Sequence, residues 1–191
     1  FESLAKDVRD KYGVKIERLA SAGISGMMHG YLALDKDGNL LAPFKTWRNN
    51  ITDQAAEELT DLFQFPIPQR WSIAHLYQTI LNGEEHLNRL AHITTLAGYV
   101  HWRLTGRWVL GACEASGMFP VDPETQGYSA RMLDQFNKHI ARHKFSWKIR
   151  DLLPEIVPAG DSAGELTAAG ARVLDPSGTL QPGVSLCPPE G

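Results

Sequence analysis

Two apolar runs, Tyr31–Leu34 and Leu40–Phe44, flank the polar stretch Asp35-Lys36-Asp37-Gly38-Asn39. Asp-Gly between apolar runs is a strong short-range hairpin signal, because a tight turn needs backbone conformations that glycine adopts without steric cost. A chain that makes this hairpin is committed to at least one antiparallel pair. Upstream, Ile16, Leu19 and Ile24 make Val14–Ser25 read as a mostly buried strand that ends in a glycine-bracketed loop. Before it, ESLAKDVRDKY over 2–12 places Leu4, Val8 and Tyr12 on one helical face, with Gly13 as the stop. Downstream the hydrophobic period becomes helical. Thr52 reads as the N-cap of a helix over Asp53–Phe63 that Pro66 and Pro68 terminate, and further helical patterns cover 72–81, 83–91, 94–104 and 134–143. From Pro154 the composition turns to Gly, Ala, Pro and Ser with short β-like pieces. Strands, then several helices, then strands predict an α/β or α+β domain, in which residues 52–106 form a helical insertion or layer.

The chain has 191 residues, 43% of them hydrophobic, which is enough to bury a substantial core in one domain. Nineteen Lys and Arg against twenty-two Asp and Glu leave a net charge of -3, with no basic stripe interleaved with aromatics, so nucleic acid is not an expected partner. Cys113 and Cys187, the two cysteines, suggest neither a disulfide framework nor a thiolate zinc site; a reducing, cytoplasmic setting is expected. No run of about 18 apolar residues occurs, so no membrane is expected as a partner. Opening on Phe1 in place of Met and closing on Pro188-Pro189-Glu190-Gly191, the chain reads as part of something longer.

The loop Gly23–Gly30 invites three chemical readings. A phosphate loop needs Gly-Lys-Ser/Thr and a following helix, and the sequence supplies neither. A nucleophile elbow around Ser25 needs a final glycine where Met27 stands. The third reading, a pocket wall, suits His29, which sits on a glycine-flanked turn where its ring either projects into a cleft or satisfies nearby backbone groups. On that reading Gly26 and Gly30 let the turn approach a ligand. Trp47 ends the strand returning from the hairpin, so it can lie beside His29 at one end of a sheet. An indole face next to the polar Arg48, Asn49 and Asn50 suits a sugar, whose C–H face stacks on aromatics while its hydroxyls need polar partners. Elsewhere, His139 and His143 are spaced for one face of a single helix, as a metal pair requires. Lys138, Arg142 and Lys144 crowd them with positive charge, which favours a solvated basic face.

Four segments resemble the FGGY carbohydrate kinases, in their xylulokinase- and gluconate-kinase-like branch. SGMMHGYLALDKDGNLLAPFKTW resembles the family's S-G-Q-M-H-G, hairpin, then W segment; AGYVHWRLTG resembles its D-Y-L-x-x-x-L-T-G helix. CEASGMFPVD resembles T-D-x-S-D-A-S-G-T-x-x-x-D, and LLPEIVPAGDSAGELT resembles L-P-x-V-x-x-x-G-x-x-x-G-x-L-T. The resemblance implies an incomplete RNase-H-like amino-terminal domain of the actin-like ATPase superfamily, spanning 1–191, with the ATP-binding carboxy-terminal domain absent. It further implies that Met28 and His29 line a sugar pocket and that Trp47 faces the sugar. Arg48 and Asn49 fall on the family's W-N-D positions with both side chains changed; Gly98 replaces the aspartate of D-Y-L, and Glu114 stands at the Asp of D-A-S. The catalytic aspartate, a general base on a sugar hydroxyl, is expected just beyond Gly191, so no catalytic residue and no metal ligand is assigned here. ATP and Mg2+ are expected in the complete enzyme and neither on this fragment.

Three functions follow as expectations. The leading one is the sugar-binding part of an ATP-dependent kinase acting on a pentulose or hexulose, inactive alone, whose partners are a small sugar and the remaining kinase domain. The second is a non-catalytic sugar-binding or regulatory module with the same pocket. The third is a metal hydrolase built on His139 and His143. An incomplete sheet would also leave an edge that a second copy could cover, giving a homodimer.

Overall fold

The hairpin forms, and its geometry follows from the Asp-Gly turn. In the computed structural model, which describes all 191 residues, Gly38 is left-handed at φ 78°, and the Asp35 carboxylate accepts the N–H groups of Asp37 and Asn39 at 2.9 Å each. The first arm is β2 (Leu32–Leu34), fully buried; the returning arm meets it through isolated bridges, Leu34 with Leu40 and Tyr31 with Lys45. Glycine is required at the turn tip, because a Cβ on Gly38 would overlap the Trp102 ring. Trp102 in turn begins a stack with Trp108 (centroids 4.3 Å apart) and His92 (4.6 Å from Trp108).

Around the hairpin the elements run α1 (Glu2–Tyr12), β1 (Ser21–Ala22), β2, α2 (Asp53–Phe63), α3 (Ser72–Leu81), β3 (His92–Thr94), α4 (Leu96–Thr105), β4 (Val109–Gly111) and α5 (Ala112–Ser116). They continue with β5 (Val121–Asp122), β6 (Gly127–Tyr128), α6 (Ala130–His139), α7 (Ile149–Leu152), β7 (Glu155–Val157), α8 (Ala168–Leu174) and β8 (Ser185–Leu186). β2 pairs antiparallel with β3, and β5 with β6, while β1–β8 and β4–β7 are parallel. A backbone bond from Gly111 N–H to the Pro189 carbonyl, 3.0 Å, joins the chain beyond β8 to β4. That last segment therefore lies between β1 and β4. The main core unites β2, α2, α3, β3, α5, α6 and α7 around Phe63, Tyr77, Phe119 and Phe136, all essentially solvent-free. A smaller cluster of Leu104, Leu166, Ala171, Leu180, Val184 and Leu186 sits under α4 and α8.

Several expectations are corrected. Val14–Ser25 is not a buried strand: Ser21–Ala22 form a two-residue strand, Ser25 makes a single bridge to Glu190, and no residue of the segment is buried. Likewise α1 forms over the expected residues but buries none, leaving Leu4 and Tyr12 exposed. Thr52 precedes α2 without capping it; its hydroxyl instead donates to the Gln69 carbonyl at 2.6 Å and ties the helix entry to the loop after it. The segment 83–91 is a short 3-10 turn over Glu85–Arg89, and β3 follows it inside the stretch read as all helix. No helix is long and apolar enough to cross a membrane.

Candidate functional site

The loop entering β2 places Met28 and His29 on a constrained turn. His29 is left-handed at φ 68° and Gly30 follows at φ 91°. Left-handed backbone at a non-glycine residue costs about 1–3 kcal/mol and persists only where neighbours hold it. Here the neighbours are specific. The Gly30 N–H donates to the Arg70 carbonyl at 3.2 Å, and the Ser72 hydroxyl donates to the Gly30 carbonyl at 2.5 Å. The ring of His29 packs on Gly117, whose carbonyl lies 3.3 Å from Nδ1. A carbonyl only accepts, so Nδ1 carries the proton and Nε2 keeps its lone pair. Burial pushes the imidazole below its ordinary pKa, with a smaller push from Arg70, and the ring is neutral at pH 7. Glycine at 117 makes room for the ring: an added Cβ would stand 2.5 Å from His29 Nδ1 and 3.1 Å from Met28 Cε, so one of them would have to shift.

Trp47 lies across the hairpin. Tyr31 and Lys45 are bridged antiparallel, and two residues outward from that bridge stand His29 on one side and Trp47 on the other. Trp47 is 45% exposed, and the Arg48 guanidinium lies 5.0 Å from its ring centroid. Trp47, Arg48, Asn50, Gln69 and Arg70 line one open depression. Asn49 is not among them, because its Oδ1 accepts the Thr46 N–H at 2.7 Å and closes a local turn. The structure thus brings Met28 together with His29 and Trp47 with Arg48, connects the two groups through Arg70, and spends Asn49 on the backbone. Gly26 and Gly30 serve packing more than ligand approach: a Cβ would sit 3.2 Å from Ala97 Cβ at the first and 2.6 Å from the Lys45 carbonyl at the second.

Behind Met28 stands Glu114, marked in the sequence only by its place at the Asp of D-A-S. Glu114 on α5 has no solvent exposure, and neither carboxylate oxygen has a hydrogen-bond partner. Burial pushes its carboxyl up to about 7, against a smaller downward pull from Thr95 and with a further push from Glu190. Glu190 reaches in from the last segment: its Oε2 accepts the Glu114 N–H at 3.0 Å, and a Cβ at Gly111 would collide with its carboxylate. Only residue-type spacing was visible beforehand, and a lone Glu in CEASG carries no burial signal.

The histidine pair does not share one helix face. Helix α6 ends at His139, and His143 belongs to a separate 3-10 turn. His139 Nε2 meets the Tyr77 hydroxyl at 2.6 Å, whereas His143 stacks on Phe145.

A family model for the "FGGY family of carbohydrate kinases, N-terminal domain" matches residues 1–176. The chain belongs to this family. Among curated relatives of this FGGY chain, the xylulose kinase of Staphylococcus xylosus is 22% identical over 158 residues, covering 78% of this chain and 31% of that one. Among solved structures, a xyloylose kinase from Brucella ovis superposes with TM-score 0.76 at 19% identity, covering 97% of this chain and 37% of that one. The gluconate kinase of Lactobacillus acidophilus gives 0.74 at 17% identity, with 97% and 36% covered. The chain spans about a third of the length of each. The fold is the expected α/β, RNase-H-like architecture, shared with these kinase structures. No group of three or more His, Cys, Asp or Glu side chains converges in these residues.

Proposed function

We propose that this chain is the sugar-binding part of an ATP-dependent carbohydrate kinase that transfers the γ-phosphoryl of Mg-ATP to a hydroxyl of a pentulose or hexulose. The observation that carries the reading is the neutral His29, held in a strained turn by Gly117 and Ser72 with Nε2 unprotonated, two residues beyond the Tyr31–Lys45 bridge on one strand while the exposed Trp47 stands two residues beyond it on the other. Such a nitrogen accepts a hydrogen bond from a sugar hydroxyl while the indole takes a C–H face. Arg48 and Arg70 add donors in the depression beside Trp47, which Met28 and His29 do not line.

The two nearby carboxyls are poorly suited as general base: Glu114 is sealed from solvent and Glu190 is engaged with a backbone N–H. By resemblance to the FGGY kinases the base is a residue beyond Gly191, whose backbone abuts Met28, since a Cβ there would lie 2.6 Å from Met28 Cβ. On this reading the 191 residues bind a sugar and transfer nothing, with nucleotide and metal held by the rest of the kinase.

The test is steady-state kinetics of the complete gene product with D-xylulose, gluconate and glycerol as acceptors. His29→Ala should raise the KM for the accepted sugar about tenfold or more and leave the KM for ATP unchanged. Equal changes in both constants would make His29 structural. Sugar binding without phosphorylation by the complete product would favour the non-catalytic module.

A further inference from the structure

Beneath the His29 turn and the Trp47 strand runs a closed circuit of four polar side chains. Tyr31 and Lys45 exchange both backbone hydrogen bonds, 2.8 Å from the Tyr31 N–H and 3.3 Å from the Lys45 N–H. The Lys45 ammonium, with its side chain 16% exposed, donates to Glu84 Oε1 at 3.2 Å. Glu84 Oε2 lies 3.4 Å from His86 Nδ1, and His86 Nε2 lies 3.0 Å from the Tyr31 hydroxyl, which closes the ring. The proton positions follow: Nδ1–H faces the carboxylate, so Nε2 accepts from the Tyr31 O–H. Burial keeps His86 below its ordinary pKa, consistent with the neutral form. Tyr31 and His86 are both buried.

A half-buried ion pair of this kind is weak evidence for stability, because desolvation and solvent screening offset most of the attraction. Its geometry, however, is specific. Tyr31 is two residues from His29 and Lys45 two from Trp47, so each strand is pinned one pleat below a candidate sugar contact. Helix α3 is the frame: its first residue, Ser72, holds the Gly30 carbonyl. Just past its last turn stands Glu84, whose N–H donates to the Thr79 carbonyl at 3.1 Å. Neither Lys45 nor Glu84 lines the depression beside Trp47. Both act through the residues they hold.

We infer that Lys45 and Glu84 are positioning residues that fix the separation of the His29 turn from Trp47, and hence the fit of the sugar; this rests on the functional reading above. The experiment compares wild type, Lys45→Met, Glu84→Gln and His29→Ala in the complete gene product, with D-xylulose, gluconate and glycerol at saturating Mg-ATP, then with ATP varied. Displacing one wall of a site by about an ångström is costly. Lys45→Met should raise the sugar KM about five- to tenfold with the ATP KM unchanged. Glu84→Gln, which keeps shape and one hydrogen bond, should give a smaller rise. If Lys45→Met fails to fold, Glu84→Gln alone decides, and an unchanged sugar KM in it overturns the role. An unaltered sugar KM in both variants, alongside a raised one in His29→Ala, overturns the positioning role and leaves the sugar site standing. An unaltered sugar KM in all three, or no turnover of any acceptor, overturns the site and this role with it. Parallel rises in sugar and ATP KM would reduce the circuit to a structural one.

Discussion

Glu114→Gln should stabilise the protein at alkaline pH and change little in acid. The carboxyl is fully buried with both oxygens unpaired, and burial first, then the nearby Glu190, raises its pKa to about 7, Thr95 pulling the other way. In the unfolded chain it titrates near 4.5. Between those values the folded state holds a proton that the unfolded state has released, so stability falls as pH rises through the window and the deficit is complete above pH 7. At about 1.4 kcal/mol per tenfold change in proton affinity, the ceiling is about 3 kcal/mol. Glutamine is isosteric and cannot ionise, so the variant escapes the deficit. His75 acts in the opposite direction: burial lowers it to about 4 from 6.5, and the stability it confers is lost as pH falls between those values. Because His75 is common to both proteins, the difference between them isolates Glu114. Urea unfolding followed by tryptophan fluorescence at pH 5, 6, 7 and 8 should show a difference within about 1 kcal/mol at pH 5, growing towards the ceiling at pH 8. A flat difference across that range, or a less stable glutamine variant at pH 8, would refute the reasoning.

Gly117→Ala should drive a Cβ into His29 Nδ1 and Met28 Cε, lowering stability by about 1–3 kcal/mol and raising the sugar KM without touching the ATP KM; urea unfolding and kinetics on one preparation check both. Tyr77→Phe removes a hydroxyl that donates to Glu58 at 2.6 Å and accepts from His139 at 2.6 Å, linking α2, α3 and α6. A loss of about 1–2 kcal/mol in urea unfolding is expected, and no loss would mean that solvent replaces the hydroxyl. Gly38→Ala combines a left-handed backbone with a Cβ inside the Trp102 ring, so it should cost more than about 2 kcal/mol and disturb the near-ultraviolet signal of the Trp102–Trp108 stack.

Local chemistry was legible; distant chemistry was not. Asp53–Phe63 and Ser72–Leu81 carry an apolar stripe long enough to reveal both ends of α2 and α3, and Gly13, left-handed at φ 68°, marks the end of α1. Three-residue β3, by contrast, sits inside the apolar run LAHITTLAG, too short for any period to separate from the helix after it. Val14–Ser25 departs from a buried strand because an apolar pattern shows only that a face wants covering, and Leu19, Ala22 and Ile24 pack against the smaller cluster while staying partly exposed. His139 and His143 have helical spacing, yet the helix ends between them. At the candidate site, His29 and Trp47 could be paired from the hairpin alone. The contributions of Gly117, Ser72 and Glu190 come from segments far along the chain and had no local signature.

The parallel pairing of β1 with β8 sets an order of events in time. Ser21 and Ala22 have no strand partner until Ser185 and Leu186 exist, so a ribosome must deliver nearly the whole chain before that ladder can close. Helices α2 and α3 and the hairpin meet neighbours close in sequence and can condense early, whereas the long loop closure is entropically slow. During that interval β1 presents an unsatisfied backbone edge to any other chain. A synthesis pause or truncation before residue 185 should therefore leave a species with a formed helical core and a sticky first strand, prone to association in proportion to the time spent waiting.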